Sequence, residues 1–413
     1  MIKKFVILSM CLFVFSFVYA QSDETTSETP TRVGGHFKFL YNDSISGKRT
    51  THLQGGAYDS STTGGTVGAY PNWIVLFFSH KINDWLAVEF SPSIEAASKA
   101  TPAYGTNIGE GITRNQRASY SLANYKPDYS PARILVQLPD DYSLVLGNLY
   151  GKISWEYGDM LSWEDQLHLS KFSCSAAEIH DNGIEVQKTY EINGITVPFT
   201  FQVGNGSNSY TPDADQQFCW LTRIEPELFG LKWELSYFNS SVVNPLDSKS
   251  NPDIRYGLGV QYAHGPLSIR SEFMQMNQAD GRNIQNPEAS KAAATALAGR
   301  LGTDNLNKGG FNVVSRYILN PLITLTAAYY EYYSNGGLKN NLVFNKDDAL
   351  EKNRDVYLGI VFNIADGATI LVNYDMGYWT RKDNAVPATI SGTGFAYEKL
   401  EFNRLSIGTR ITF

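Results

Sequence analysis

Along most of the chain apolar and polar side chains take turns one for one, the two-residue period of a strand with two different faces. Ile254, Tyr256, Leu258, Val260 and Tyr262 alternate with Arg255, Gly257, Gly259, Gln261 and Ala263. Ile370, Val372, Tyr374, Met376 and Tyr378 alternate with Thr369, Leu371, Asn373, Asp375 and Gly377. The last residues repeat the pattern: Leu405, Ile407, Ile411 and Phe413 share one face, interrupted at Thr409, and Arg404, Ser406, Gly408, Arg410 and Thr412 share the other. One face of each segment is suited to oil and the other to water.

The pattern predicts strands at 36–42, 72–80, 85–94, 132–138, 142–150, 182–190, 195–204, 217–225, 231–239, 254–263, 266–276, 311–319, 322–333, 354–364, 368–379 and 399–413, sixteen in all. Short turns rich in Pro, Gly, Asn or Asp join them in pairs, as at Pro139-Asp140-Asp141, Ile192-Asn193-Gly194 and Asn320-Pro321. Long polar connections alternate with these turns, at 43–71, 95–131, 151–181, 205–216, 240–253, 277–310, 334–353 and 380–398. All turns would then lie at one end and all long loops at the other. Within 277–310 the run from Pro287 through Ala292, Ala293 and Ala294 toward Gly302 predicts a short helix over 287–301.

A soluble β-helix or β-sandwich would also alternate. It would not keep one face nearly pure apolar on strand after strand, nor gather Trp and Tyr near strand ends, as Trp85, Tyr150, Tyr190, Trp220, Tyr262 and Tyr317 do. After residue 20 no apolar run reaches the roughly 20 residues that a spanning helix needs. The fold class expected is all-β: a closed antiparallel 16-stranded transmembrane β-barrel with short periplasmic turns and long extracellular loops.

Residues 1–20 carry Lys3 and Lys4, an apolar run and Val18-Tyr19-Ala20, the form of a signal peptide. Residues 21–34 are polar and are expected to be a disordered leader, with the barrel occupying 35–413. Losing Lys3 and Lys4 takes the formal charge from −7 to −9, which excludes a phosphate backbone as partner, so no nucleic acid is expected. Cys174 and Cys219 are the cysteines left after cleavage; in an oxidising compartment they could form a disulfide tying loop to wall. No Gly-x-Ser-x-Gly elbow and no phosphate-binding Gly-Lys-Ser/Thr loop occurs, and the six His residues lack metal spacing. No enzyme, cofactor or metal site is expected.

The parity of the strands places basic groups on the inner wall at Lys38, Arg133, Arg223, Lys232, Arg255, Arg270, Arg316, Arg404 and Arg410, and acidic ones at Glu89, Glu95, Glu185, Glu234, Glu272, Asp355 and Asp375. A barrel of this size keeps such a lumen wet. The acids favour cations and the clustered arginines favour anions, and parity alone leaves both open.

At the level of topology the chain resembles the bacterial outer-membrane porin superfamily. Phe413 on its alternating strand looks like the assembly signal of that group, and Gly147 to Met160 (GNLYGKISWEYGDM) looks like a fifth strand running into an inward-folded third loop. The stretch Asp181 to Asn208 (DNGIEV…FTFQVGNGSN) is similar to strands of the phosphate-selective porin O and P group. The resemblance implies a constriction loop at 151–181 with Glu156, Asp159, Glu164 and Asp165 facing a basic wall, and passage of ions and small hydrophilic solutes with a possible anion or phosphate preference. It implies the outer membrane of a Gram-negative-type bacterium, its lipids and lipopolysaccharide, its assembly machinery and a homotrimer. The alternative class is a surface-binding or adhesion barrel with a closed lumen.

Overall fold

The structure, a computed structural model, describes residues 31–53, 56–91, 93–95, 132–155, 172, 180–206, 218–243, 250–278, 306–334, 351–382 and 395–412. Its strands are β1 (Thr31–Leu53), β2 (Gly56–Asn83), β3 (Leu86–Phe90), β4 (Ser93–Glu95), β5 (Ala132–Gln137), β6 (Ser143–Tyr150), β7 (His180–Ile192), β8 (Ile195–Gly204), β9 (Cys219–Ile224) and β10 (Glu227–Leu228). Next come β11 (Leu231–Val243), β12 (Ser250–His264), β13 (Leu267–Gln278), β14 (Leu306–Asn320), β15 (Ile323–Ser334), β16 (Glu351–Ala365), β17 (Ala368–Lys382) and β18 (Phe395–Thr412). They form one antiparallel sheet of 18 strands in which β1 pairs with β2 on one side and with β18 on the other. Among the described residues no helix is long and apolar enough to cross a membrane.

Two of the expected strands are each divided. The 85–94 segment becomes β3 and β4, and the 217–225 segment ends early and continues as β10 past Pro226. A proline supplies no N–H to the ladder. Register nevertheless survives both gaps: Phe78↔Phe90 is followed by Val75↔Ser93, and Leu235↔Ile224 by Lys232↔Glu227. The Trp233 N–H even donates to the Pro226 carbonyl at 3.0 Å.

The expected loop 43–71 is corrected to strand. β1 and β2 continue to the tip pair Leu53↔Gly56, and β18 accompanies them as far as Leu53↔Phe395. Thr31 to Gly34, expected to belong to the leader, are already paired to β2. These stretches are rich in Ser, Thr and Gly on both faces, so their strands rest on backbone pairing and leave no hydrophobic period to read. The helix expected over 287–301 lies outside the described residues.

The short turns follow from local stereochemistry. Asn193 (φ 53°) and Gly194 (φ 78°) close Ile192↔Ile195 with both central residues in the left-handed region, the tight turn that matches strand twist. Phe229 (φ 57°) and Gly230 (φ 70°) close Leu228↔Leu231 in the same way. A bulky residue is poorly suited to that conformation, and the Phe229 side chain is 96% exposed, so packing does not compensate. Phe229→Asn is expected to stabilise the folded protein by roughly 1 kcal/mol, read as a higher denaturant midpoint with an unchanged m-value.

Candidate functional site

Register assigns every strand residue to one of two faces. The apolar face carries Phe78, Ile134, Ile184, Leu235, Tyr256, Leu258, Phe273, Leu325, Leu358, Tyr374 and Leu405. These large apolar side chains are all substantially exposed, with Leu258 at 45% and Leu358 at 47%. Soluble proteins do not cover a face with such residues. The polar face carries Glu185, Gln202, Arg223, Glu234, Arg270, Glu272, Asn312, Asn373, Asp375 and Arg404, and these are buried.

A segment leaving β6 explains part of that burial. Gly151 to Trp155 lies against the polar face of β9, β11, β12 and β13, with Ile153, Ser154 and Trp155 almost wholly buried. Glu272 on β13 holds it: Oε1 accepts from the Trp155 N–H at 2.6 Å and from Ser154 Oγ at 2.9 Å. Asn312 Nδ2 on β14 donates to the other oxygen of Glu272 at 3.1 Å. Glu225 receives the Trp155 indole N–H at 2.7 Å, and Ser236 Oγ on β11 donates to the Ile153 carbonyl at 2.8 Å. Space for the segment comes from glycines. A Cβ on Gly257 would stand 2.6 Å from the Ile153 carbonyl oxygen, and one on Gly259 would stand 2.8 Å from the Trp155 ring.

Many of the basic residues of this face are paired with acids. Arg223 meets Glu225 at 2.9 Å and Glu234 at 3.8 Å, and its Nη1 donates to the Lys152 carbonyl at 3.5 Å. Lys232 reaches Glu225 at 2.8 Å, and Lys152 reaches Glu185 at 3.0 Å, where Gln187 and Gln202 also donate. Arg270 lies 3.6 Å from Glu272, Arg133 lies 3.8 Å from Glu89, and Arg255 forks onto both oxygens of Asp253 at 3.2 and 3.0 Å. Arg404 directs Nε and Nη2 to one Asp375 oxygen, each at 2.8 Å. Arg316 and Arg410 share the face through the register pairs Arg316↔Thr326 and Thr369↔Arg410. Lys38 is opposite Arg410 in the β1–β18 ladder.

Glu156, Asp159, Glu164, Asp165, Cys174 and Phe413 lie outside the described residues. Of the two cysteines considered for a disulfide only Cys219 is described; it is a free, buried thiol whose Sγ donates to Asp181 Oδ2 at 2.8 Å. That carboxylate also accepts from the Gly206 N–H at 2.9 Å, so it fastens the chain leaving β8 to the wall. Among the described residues no group of three metal-ligating side chains occurs.

Strand parity did not identify Glu225 or Trp155. Glu225 falls in the gap before Pro226, where alternation stops, and Trp155 lies past the end of β6. One signal was available: Ser236, Gly257, Gly259 and Gly310 put small residues on the same face of three strands. Small residues there leave room for something laid across the wall, and Phe172 fills the space over Gly310.

No family model and no curated protein sequence matches the chain. Solved structures do. OmpF of Salmonella typhi, in complex with daunomycin, aligns over 94% of this chain and 99% of its own at a TM-score of 0.50 and 11% identity. The outer membrane channel DcaP of Acinetobacter baumannii gives the same values: TM-score 0.50, 11% identity, 94% of this chain and 99% of that one. The fold is that of the outer-membrane porins. At such identity the likeness concerns architecture, and the chemistry of the wall rests on this chain's own residues.

Because Glu272 accepts from two groups of the segment, Glu272→Ala is expected to loosen it. Each charge-assisted hydrogen bond contributes roughly 1.5–3 kcal/mol. Hydrogen exchange at the Ile153 to Trp155 amides should then accelerate by at least about tenfold while the β16–β17 amides stay protected. Equal exchange in both regions would refute the latch.

Proposed function

We propose that the protein is a water-filled porin of a Gram-negative-type outer membrane, passing ions and small hydrophilic solutes by passive diffusion without enzymatic chemistry. The observation that carries this reading is the division of one continuous sheet into an exposed apolar face and a buried, charge-paired polar face. Counting β3 with β4 and β9 with β10 as interrupted staves gives sixteen, and the β1–β18 ladder joins first to last. Closed in this way, the sheet presents its apolar face to lipid and its polar face to a lumen, with no free edge in hydrocarbon. The Gly151–Trp155 segment narrows that lumen.

The accessible charge at the narrowing supports anion preference. In the pair Lys232–Glu225 the lysine side chain is 45% exposed and the glutamate 13%; in Lys152–Glu185 the values are 26% and 5%. Arg223 and Glu234 are both nearly inaccessible. Passing ions therefore meet ammonium groups first, while the carboxylates are turned toward the wall and the latch. The exposed apolar face suits outer-membrane lipid, with side-by-side packing of three copies as the assembly and lipopolysaccharide at the loop end.

A second reading, a surface-binding barrel with a closed lumen, has one observation behind it. Phe172, Tyr330, Tyr332 and Tyr357 form a buried aromatic cluster on the polar face. Planar-bilayer recording separates the two: discrete conductance steps from purified protein support the channel, and silence supports closure. In a KCl gradient the reversal potential should show anion preference, and Lys232→Glu should move it toward cations. An unchanged reversal potential would remove Lys232 from the conduction path.

A further inference from the structure

On the apolar face β7 presents Ile184, Val186, Lys188, Tyr190 and Ile192 in succession, so a lysine stands among residues chosen for oil. Its register partner on β8 is Phe199, and the neighbouring β6 residue on that face is Leu144. A cation in hydrocarbon is costly unless its stem carries the charge to the headgroup level. Lys188 is near that level, since β7 ends four residues later at the Asn193-Gly194 turn.

The ammonium is held in a defined place. Lys188 Nζ lies 3.9 Å from the centre of the Tyr142 ring and 5.3 Å from that of Tyr190. The Tyr190 ring meets Phe199 edge-on at 6.3 Å. The Pro139–Asp141 turn runs directly into Tyr142, and its Asp140 and Asp141 are exposed. A fixed cation and an acidic turn thus adjoin two interfacial aromatic rings.

We propose that Lys188, Tyr142, Tyr190 and Asp140 bind the headgroup of a zwitterionic phospholipid in the turn-side leaflet. The phosphate oxygens accept from the Lys188 ammonium and the Tyr190 hydroxyl, while a primary ammonium on the same headgroup is directed to Asp140. The acyl chains lie along Leu144, Ile184 and Phe199. A phosphoethanolamine headgroup carries both charges, whereas a phosphoglycerol headgroup lacks the ammonium and faces repulsion from the turn. This inference rests on the apolar face meeting lipid, as in the proposed function.

The test is native mass spectrometry of the delipidated full-length protein titrated with phosphatidylethanolamine or phosphatidylglycerol of identical chains. Phosphatidylethanolamine adducts should exceed phosphatidylglycerol adducts about fivefold, the ratio expected for one interfacial charge contact. Lys188→Gln should reduce the phosphatidylethanolamine adduct by a similar factor, and Asp140→Asn should bring the two lipids to parity. Equal retention of both lipids by the unmodified protein, or an undiminished adduct in Lys188→Gln, would overturn the proposal. Conductance of the same preparations separates the two failures: normal steps with no lipid preference reject the headgroup site and leave the channel standing. Circular dichroism confirms that each variant is folded.

Discussion

The backbone ladder is the constraint from which the rest of the molecule follows. A lipid-facing strand has no water to satisfy its N–H and C=O groups, so each must find them in neighbouring strands. Here the demand is met even where proline removes a donor: β10 resumes the register of β9, and the Pro226 carbonyl still accepts from Trp233. Side chains are then free to differ completely between the two faces. That freedom allows an apolar face and a charged face to be written on alternate residues of the same strands.

The interior uses its charges as structure as well as surface. Glu272 and Glu225 are placed to hold a piece of backbone and an indole; Arg270 offsets the burial of the first, and Arg223 and Lys232 that of the second. Buried carboxylates without such partners would be strongly unfavourable. The result has a functional side. Glu225 is withdrawn from the water, and Lys232, its partner, remains more accessible. In the proposed channel, selectivity and the position of the narrowing would depend on the same few residues.

Legibility in the sequence followed physical cause. Where one face must be apolar, as in β12 or β17, the two-residue period located the strands to within a few residues. Where β1 and β2 extend beyond the apolar band, nothing requires an apolar face and the strands carried no periodic mark. The parity of Arg223, Lys232, Glu234 and Glu272 was readable because each lies in an unbroken alternation. Glu225, the last residue of the expected 217–225 strand, shares the parity of Arg223 but was not singled out, and the thiol of Cys219, considered for a disulfide, donates to a carboxylate on β7.

Alternation by itself determined the class of fold, the short turns and which side chains share a face, because a pleated strand leaves no choice about that. Pairing across long distances in the chain was decided only by the tertiary structure. Residues 151–155 meet Glu225 and Glu272 because strands far apart in sequence present carboxylates, small side chains and open space at one level. No local pattern encodes that meeting, since Glu272 and the glycines are ordinary members of their strands, and Glu225 and residues 151–155 lie just past strand ends, until the sheet brings them together.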